Sequence, residues 1–326
     1  MTATDEIEIP VASLRYDITL PLIDGRVTID GVRLKPGRGP GGTVLPKDSP
    51  LIDGSFGLVD LNVGNLLPAI EAGWELIGLP VFSKRKPVYT YVFCRVEAGI
   101  ESPKDMEGKR IGSGRYVSSI TVWLRGLLQD HYGVDVSKLR WVVWGADAFP
   151  VYDLKTQIEP APDPKKSILQ ALFDGDVDAI MTDISDGAIF DALEASPLVK
   201  RLFPDYVAED ERLYRETGIY TPMHIIGMSK KLDRDHPELA GKLYAAFEKA
   251  KQIAYQDILD DRAGFSVVYL RERLKEQMAR WGDPFVYGIT ANKVTIDTYN
   301  RYNLEQGLVR TSYSYEDVFA ASTLDT

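Results

Sequence analysis

Residues 109–132 read K-R-I-G-S-G-R-Y-V-S-S-I-T-V-W-L-R-G-L-L-Q-D-H-Y, a pattern that predicts a strand, a glycine turn and a helix. From residue 120 onward, apolar side chains recur at the spacing of one helix face. These side chains are Ile120, Trp123, Leu124, Leu127 and Leu128. A second strand, G-D-V-D-A at residues 175–179, follows another short helical stretch. Strand–helix alternation of this kind indicates an α/β fold.

The same alternation runs outward along most of the chain. Further strands are predicted at residues 57–61, 75–82, 89–95, 139–144 and 177–181, and helices at 167–173, 237–257 and 264–280. Residues 147–166 contain four prolines, which predicts a loop. Because ligands of open α/β sheets bind beyond the carboxyl ends of the strands, we expect the functional residues in the loops there.

Length and composition bound the function. A chain of 326 residues exceeds one average domain, so we expect two lobes. The net charge of −10 argues against a nucleic-acid partner, although a few arginines can still attract a small anion. The single cysteine, Cys94, excludes an internal disulfide, and its apolar neighbours predict a small buried side chain.

The N-terminal residues bear on location. Residues 1–8 have no basic start and no apolar segment of the kind that signal peptides carry. No stretch of about 18 consecutive apolar residues follows. We therefore expect a cytoplasmic protein without a membrane partner. The sequence leaves open whether the chain is a monomer or a homo-oligomer.

His224 is the first candidate catalytic residue. The chain has three histidines, and His224 alone lies in an apolar run, which continues to Met228. Imidazole exchanges protons near neutral pH, so this position favours acid–base chemistry. The alternative is a core histidine satisfied by a backbone carbonyl. His131 and His236 lie at predicted helix ends, where structural roles suffice.

The glycine turn at residues 112–119 is the second candidate site. Its glycines permit close backbone approach, and the serines at the helix start offer N–H and O–H groups to an anion. The alternative is an ordinary helix N-cap. The turn is not a phosphate loop, because it lacks the third glycine and the Lys-Ser/Thr pair.

Several motifs together resemble the 4,5-dihydroxyphthalate decarboxylase family. They are Y-D-I-T-L-P-L-I-D-G-R-V at 16–27, L-P-V-F at 79–82 with Arg85, V-W-L-R-G-L-L-Q-D-H-Y-G-V at 122–134, G-I-Y-T-P-M-H at 218–224 and W-G-D-P-F-V-Y-G at 281–288. The resemblance implies a two-lobed type II periplasmic-binding-protein fold with an interlobe cleft. It implies a discontinuous lobe 1 of residues 1–98 and 226–326 and an inserted lobe 2 of residues 99–225. We expect two crossings, near residues 95–99 and 224–229.

The resemblance also implies an activity and residues that carry it. It implies a cytoplasmic decarboxylase of a small hydroxylated aromatic or heteroaromatic carboxylate. His224 matches the family's Met-His and becomes the candidate acid, with Asp60 or Asp183 as the proton acceptor. Arg85 matches a family arginine that we expect to bind a carboxylate, as we also expect of Arg115. The other predicted substrate-binding residues are Asn62, Tyr89, Tyr116, Ser118, Ser119 and Trp123.

Departures from the family pattern put the substrate's identity in doubt. The chain has Asp60-Leu61-Asn62 where relatives carry Glu-Met-Ser, Val88-Tyr89 where they carry Arg-His, and Gly114-Arg115 where they carry Pro-Glu. These departures suggest a substrate other than the phthalate. The second hypothesis is a non-catalytic solute-binding protein for a small anionic aromatic ligand.

The predicted chemistry needs no organic cofactor, and the sequence contains no motif for one. A ring hydroxyl can supply the electrons that stabilise the protonated intermediate, so acid–base groups suffice. A divalent metal held by Asp60, Asp183 and His224 is the alternative, which we do not favour because the three residues are far apart in the sequence.

Overall fold

The computed structural model describes residues 6–12, 14–37, 49–260 and 265–326. The chain divides into two compact units. The first unit comprises Met1–Arg85, Pro222–Ile296 and Tyr313–Thr326, and the second comprises Lys86–Thr221 and Asp297–Ser312. Each unit contains its own β-sheet, so the prediction of two α/β units rather than one continuous sheet is confirmed.

In the first unit, the described strands form a five-stranded sheet in the order β2-β1-β3-β11-β4. The strands are β1 (Ile7–Ala12), β2 (Val32–Gly37), β3 (Leu58–Asn62), β4 (Leu76–Arg85) and β11 (Pro222–Ser229). β1 pairs in parallel with β2 and β3, whereas β11 runs antiparallel to both β3 and β4. The late strand β11 therefore lies between two strands from the first quarter of the chain.

Helices pack against this sheet and contribute side chains to its hydrophobic core. They are α1 (Leu20–Ile23), α2 (Leu66–Glu71), α7 (Lys230–Asp235), α8 (Leu239–Leu259), α9 (Leu270–Trp281) and α11 (Tyr315–Val318). α8 is the longest, and it buries Leu239, Leu243 and Phe247 against Leu79 and Ile226 of the sheet. Burial of such side chains is worth about 1.5–3 kcal/mol each, so α8 is a principal support of the strands that carry the site.

In the second unit, the described strands form a six-stranded sheet in the order β10-β5-β9-β6-β7-β8. The strands are β5 (Val92–Arg95), β6 (Arg110–Ser113), β7 (Arg140–Val143), β8 (Gln157–Pro160), β9 (Ala179–Met181) and β10 (Val199–Arg201). β6 pairs in parallel with β7 and β9, and β5 pairs antiparallel with β9 and β10. Cys94 of β5 is buried, as predicted, and burial raises its thiol pKa to about 12.

The helices of the second unit are α3 (Ser119–Tyr132), α4 (Ile168–Asp174), α5 (Gly187–Ala195) and α6 (Tyr206–Thr217), together with most of α10 (Lys293–Glu305). α3 coincides with the predicted amphipathic helix, and its apolar stripe is fully buried. α10 packs so closely on α3 that a Cβ at Gly126 would lie 2.2 Å from a ring carbon of Tyr302. Trp123 of α3 also packs on Tyr299, with ring centroids 4.8 Å apart.

The unit boundaries differ from the predicted lobes. The first crossing lies between Arg85 and Lys86 rather than near residue 98, because β5 forms its backbone hydrogen bonds with β9 and β10. The second lies before Pro222, since β11 pairs with β4 from Pro222 to Ser229 and with β3 from His224 to Met228. The sequence also gave no sign that Asp297–Ser312 would return to the second unit.

Two local predictions need correction. The predicted loop at residues 147–166 contains β8, an edge strand that pairs with β7 alone and ends at Pro160. Proline is tolerated on edge strands, so the proline content misled the prediction. The helix predicted at 264–280 begins at Leu270, and residue 264 lies outside the described residues.

Asp210 of α6 gives the second unit a pH-dependent stability. Its carboxylate accepts the backbone N–H groups of Val88 and Tyr89, while among the described residues its buried Oδ2 has no hydrogen-bond partner. Burial, and to a lesser extent the charge of Glu209, raise the pKa of Asp210 to about 7. Because the folded-state pKa exceeds the unfolded value, the stabilisation is complete below about pH 4 and is lost as the pH rises towards 7.

Replacing Asp210 with Asn should therefore stabilise the protein at pH 8 and leave its stability nearly unchanged at pH 4.5. The expected gain at pH 8 is on the order of a few kcal/mol, since each pKa unit corresponds to about 1.4 kcal/mol. Urea unfolding of both proteins at the two pH values measures the difference. The same change at the exposed Asp191 is the control, and a pH-independent difference for Asp210→Asn would contradict the assignment.

Candidate active site

His224 lies in β11, a strand that is buried along its whole length. The apolar residues around it fill the core of the first unit, which explains why the surrounding sequence is hydrophobic. In the sheet, His224 is opposite Asn62 of β3 and Lys84 of β4. His224 therefore lies on a strand with a hydrogen-bonded neighbour on each side, and the residue is only 6% exposed.

A bulge in β4 brings a hydroxyl into the same place. Between His224 and Ile226, which are two positions apart on β11, the paired residues of β4 run from Lys84 to Leu79, five positions apart. The additional β4 residues bulge out of the regular ladder. Ser83, in this bulge, is fully buried and donates its hydroxyl hydrogen bond to Asp60 Oδ1. Bulges of this kind commonly reorient side chains next to functional sites.

Asp60 is the centre of a buried polar cluster. Its side chain projects from β3 and is 2% exposed. Its Oδ2 lies 2.5 Å from His224 Nδ1 and accepts a hydrogen bond of 2.9 Å from the Tyr16 hydroxyl. The Tyr16 oxygen also lies 3.0 Å from His224 Nδ1. We name Tyr16, Asp60, Ser83 and His224 the polar cluster; all four belong to the first unit.

The cluster geometry indicates where the protons lie. A buried carboxylate is stable only when donors compensate for its lost hydration, and here both oxygens accept hydrogen bonds. An ionised carboxylate cannot donate, so we assign the proton between Asp60 and His224 to Nδ1. With Nδ1 committed to Asp60, Nε2 is the ring nitrogen left to accept or release a proton.

Arg85, at the end of β4, also belongs to the first unit. It is 6% exposed, and its Nη2 donates to the Val286 carbonyl at 2.9 Å and to Asn292 Oδ1 at 2.6 Å. Its guanidinium carbon lies 5.1 Å from the ring centroid of Phe82. Both of these acceptors are neutral, and they orient the guanidinium.

The structure thus brings four predicted site residues onto three neighbouring strands: Asp60, Asn62, Arg85 and His224. Asn62 ends β3, and its side chain accepts a 3.0 Å hydrogen bond from the Gly64 N–H, which starts the following 3-10 turn. Arg85 is opposite Pro222, two residues before His224.

Asp183 belongs to the second unit, outside the polar cluster. It is exposed and forms a 2.6 Å ion pair with Lys86. This pair occupies the carboxylate that we had expected to accept a proton. Within the described residues, no group of three or more His, Cys, Asp or Glu side chains is arranged to hold a metal ion.

The glycine turn of the second unit is used largely for capping and packing. Ser118 is the N-cap of α3 and accepts the Thr121 N–H, which is the alternative left open by the sequence. Ser119 is buried. Arg115 is half-buried, and its charge lowers the pKa of Asp147, although burial of that carboxyl raises it overall. An acidic group therefore lies within electrostatic reach of Arg115.

Three predicted substrate-binding aromatics are core residues. Trp123 is fully buried against α10, and Tyr89 is fully buried, with its ring 4.6 Å from that of Phe203. Tyr116 is buried and packs edge-on against Trp141. All three rings pack against side chains of the second unit, and their role in substrate binding stays a prediction.

Sequence reasoning missed Tyr16 and Ser83. Tyr16 is the first residue of the Y-D-I-T motif, which served only as a family marker, although a tyrosine in such a motif could have been singled out. Ser83 gave no local signal, because its contact with Asp60 arises from the bulge in β4.

Comparison with known proteins finds similarity to the enzyme that the motifs resemble. No family model matches the chain. The chain is 28% identical to the 4,5-dihydroxyphthalate decarboxylase of Comamonas testosteroni, in an alignment covering 98% of each protein. It is 29% identical to the enzyme of that name from Pseudomonas putida, over 43% of this chain and 54% of that protein. The predicted resemblance is confirmed.

Solved structures show the fold. The chain is similar to the periplasmic aliphatic sulphonate-binding protein SsuA of Escherichia coli, with a TM-score of 0.54, 15% identity and coverage of 97% and 92% of the two chains. It is also similar to the alkanesulfonate-binding SsuA of Xanthomonas axonopodis pv. citri, with a TM-score of 0.53, 16% identity and coverage of 98% and 97%. The predicted periplasmic-binding-protein-like α/β fold is confirmed. Among the described residues, no helix is long and apolar enough to cross a membrane.

Asp60 should be important for stability as well as chemistry. Replacing it with Ala leaves the buried Ser83 and His224 donors and the part-buried Tyr16 hydroxyl without this acceptor, so we expect a loss of about 3–5 kcal/mol in the free energy of unfolding. Asp183→Ala is the matched control; its exposed ion pair predicts a loss below about 1 kcal/mol. Equal losses in the two variants, measured by urea unfolding, would show that the cluster does not depend on Asp60.

Proposed function

We propose that this chain is a decarboxylase acting on a small hydroxylated aromatic or heteroaromatic carboxylate. The observation that carries the proposal is the buried contact of 2.5 Å between His224 and Asp60. It occurs in a chain that resembles a 4,5-dihydroxyphthalate decarboxylase over nearly its whole length. A histidine paired in this way can supply the proton that replaces the departing carboxylate.

The proposed reaction is redox-neutral. Protonated Nε2 of His224 gives its proton to the ring carbon that bears the carboxylate, and a hydroxyl ortho or para to that carbon stabilises the resulting cation. The bond to the carboxylate then breaks, its electron pair returns to the ring, and carbon dioxide leaves. Water reprotonates the imidazole. The chemistry requires no organic cofactor, because the substrate's own hydroxyl supplies the electrons.

Asp60 fits an orienting role in this mechanism. Both of its oxygens already accept hydrogen bonds from protein groups, and it is almost completely buried. It is therefore suited to hold the imidazole and stabilise its protonated form rather than to accept a proton from the substrate. The substrate hydroxyl needs no separate base if it stays protonated until carbon dioxide has left.

Arg85 is the proposed anchor for a carboxylate that remains on the substrate. It ends β4, next to the strand that carries His224, and its two neutral acceptors orient the guanidinium. Planar guanidinium groups bind carboxylates through two parallel hydrogen bonds. Arg115 is the second candidate, although the charge of Asp147 already interacts with it.

We propose only the chemical class of the substrate, a hydroxylated aromatic or heteroaromatic carboxylate. Of the departures from the family pattern, Asp60-Leu61-Asn62 includes the centre of the polar cluster. By contrast, Val88 and Tyr89 are fully buried core residues and say little about the substrate. The change at residues 60–62 therefore supports a hydroxyaryl carboxylate other than the phthalate.

The second candidate function is binding of a small anionic solute without chemistry. The likeness of the fold to two sulfonate-binding proteins favours it. The two functions make different demands on His224. A binding protein needs the imidazole only as a hydrogen-bond partner, whereas a decarboxylase needs it to transfer a proton.

Replacing His224 with Gln separates the two functions. The wild type should release carbon dioxide from at least one member of a panel of hydroxyaryl carboxylates. The variant should bind that compound with nearly unchanged affinity by calorimetry, while its turnover falls by about 10²–10⁴, the usual contribution of acid–base catalysis. His236→Gln is the control and should keep full turnover. Binding without carbon dioxide release by the wild type would favour the solute-binding function.

Replacing Arg85 with Ala should weaken binding of the same compound by about 2–4 kcal/mol, the effect of removing a buried charge from its partner. Arg85→Lys keeps the charge but loses the planar fork, so it should retain part of the affinity. Calorimetry on variants whose circular dichroism matches the wild type measures both. A folded Arg85→Ala protein with an unchanged dissociation constant would reject this anchor.

A further inference from the structure

The Tyr16 hydroxyl contacts both members of the proposed acid–base pair. Its oxygen lies 2.9 Å from Asp60 Oδ2 and 3.0 Å from His224 Nδ1, and those two atoms are 2.5 Å apart. The three polar atoms form a triangle on one edge of the imidazole. The phenol ring packs edge-on to the imidazole, with ring centroids 6.3 Å apart and planes at 84°.

The local backbone fixes Tyr16 in this position. The Tyr16 N–H donates to Thr19 Oγ1 at 3.2 Å, and the Tyr16 carbonyl accepts the Thr19 N–H at 3.0 Å. These bonds start the 3-10 turn Asp17–Thr19, in which Ile18 and Thr19 are buried. The phenol thus projects from a short segment that is anchored at both its N–H and its carbonyl.

We propose that Tyr16 is a positioning residue that holds the imidazole of His224 with Nδ1 towards Asp60 and Nε2 towards the reacting substrate. The inference rests on the proposed function for the identity of the reaction, but the contacts behind it are independent of any substrate. A half-turn of the imidazole would place carbon where Nδ1 now lies. Both Tyr16 and Asp60 oppose that rotation, because each oxygen would then face a C–H group instead of nitrogen.

The Ser83 hydroxyl contacts the other oxygen of the Asp60 carboxylate. Ser83 donates to Oδ1 of Asp60, whereas Tyr16 and His224 share Oδ2. Lys84 and Asn62 are the residues opposite His224 on the two neighbouring strands. Tyr255 provides a matched comparison outside the polar cluster: its hydroxyl donates to Asp283 Oδ1 at 2.8 Å in the same unit, so Tyr255→Phe removes a phenol from a different carboxylate.

Nitrogen-15 spectroscopy of selectively labelled histidine tests the assignment directly. The chain has three histidines, so His131 and His236 serve as internal references in the same spectrum. In the wild type, the Nδ1 signal of His224 should be that of a protonated nitrogen. In Tyr16→Phe, Nδ1 should lose part of its protonated character because the ring populates both tautomers. Tyr255→Phe should match the wild type.

Kinetics supply the second measurement. On a compound that the wild type decarboxylates, Tyr16→Phe should lower kcat about 10-fold and change KM less than twofold, while Tyr255→Phe should change kcat less than threefold. A Tyr16→Phe protein whose Nδ1 signal is indistinguishable from that of the wild type overturns the inference. A wild-type spectrum in which Nδ1 of His224 is unprotonated also overturns the inference, and that measurement requires no variant.

Failure of the proposed function gives a different result. If the wild type decarboxylates nothing in the panel, the reaction is rejected, yet the nitrogen spectra still report whether Tyr16 fixes the ring. If turnover is observed and the spectra of wild type and Tyr16→Phe agree, the decarboxylase stands and the role of Tyr16 is rejected.

Discussion

The first unit depends on one physical constraint, the need to compensate a carboxylate buried inside a β-sheet. Asp60 is 2% exposed, and its ionised form would be costly there without donors. Its three donors come from a turn, from a bulged strand and from a strand added late in the chain. The hydrogen bonds to this carboxylate fix the relative positions of three separate segments. They also place the imidazole proton of His224 on Nδ1.

The order of the strands makes this arrangement attainable. β11 lies between β3 and β4, so a residue near position 224 can reach side chains near positions 60 and 83. The bulge in β4 then turns Ser83 towards Asp60. The apolar core under these strands, with α8 packed against it, limits water around the cluster and strengthens its hydrogen bonds. The packing of the strands and of α8 therefore both stabilises the first unit and positions the polar cluster.

The fold and the polar cluster carry different information about function. The fold is that of solute-binding proteins, and a fold can serve many unrelated functions. The pairing of an imidazole with a buried carboxylate is a feature of proton-transfer sites, although such pairs also occur as structural elements. What distinguishes the proposed enzyme from a binding protein is thus a cluster of four side chains in one unit rather than the architecture that presents them.

The sequence by itself determined the α/β class, most of the central elements and the family resemblance, because hydrophobic periodicity and turn chemistry are local properties. It also identified His224, since a histidine in an apolar strand is conspicuous. It assigned Asp60 and Asp183 similar roles, because both are aspartates near strand ends. It did not predict that Tyr89 is fully buried, since that burial depends on packing against residues distant in the sequence, such as Phe203.

Only the tertiary structure decided which residues meet. Tyr16, Asp60, Ser83 and His224 are separated by up to 208 positions, and their contacts depend on strand order and on a bulge that no local pattern encodes. The same holds for the unit boundaries, which follow backbone pairing between distant strands. Local chemistry sets what each segment can form, whereas long-range pairing of strands sets which side chains share a buried space.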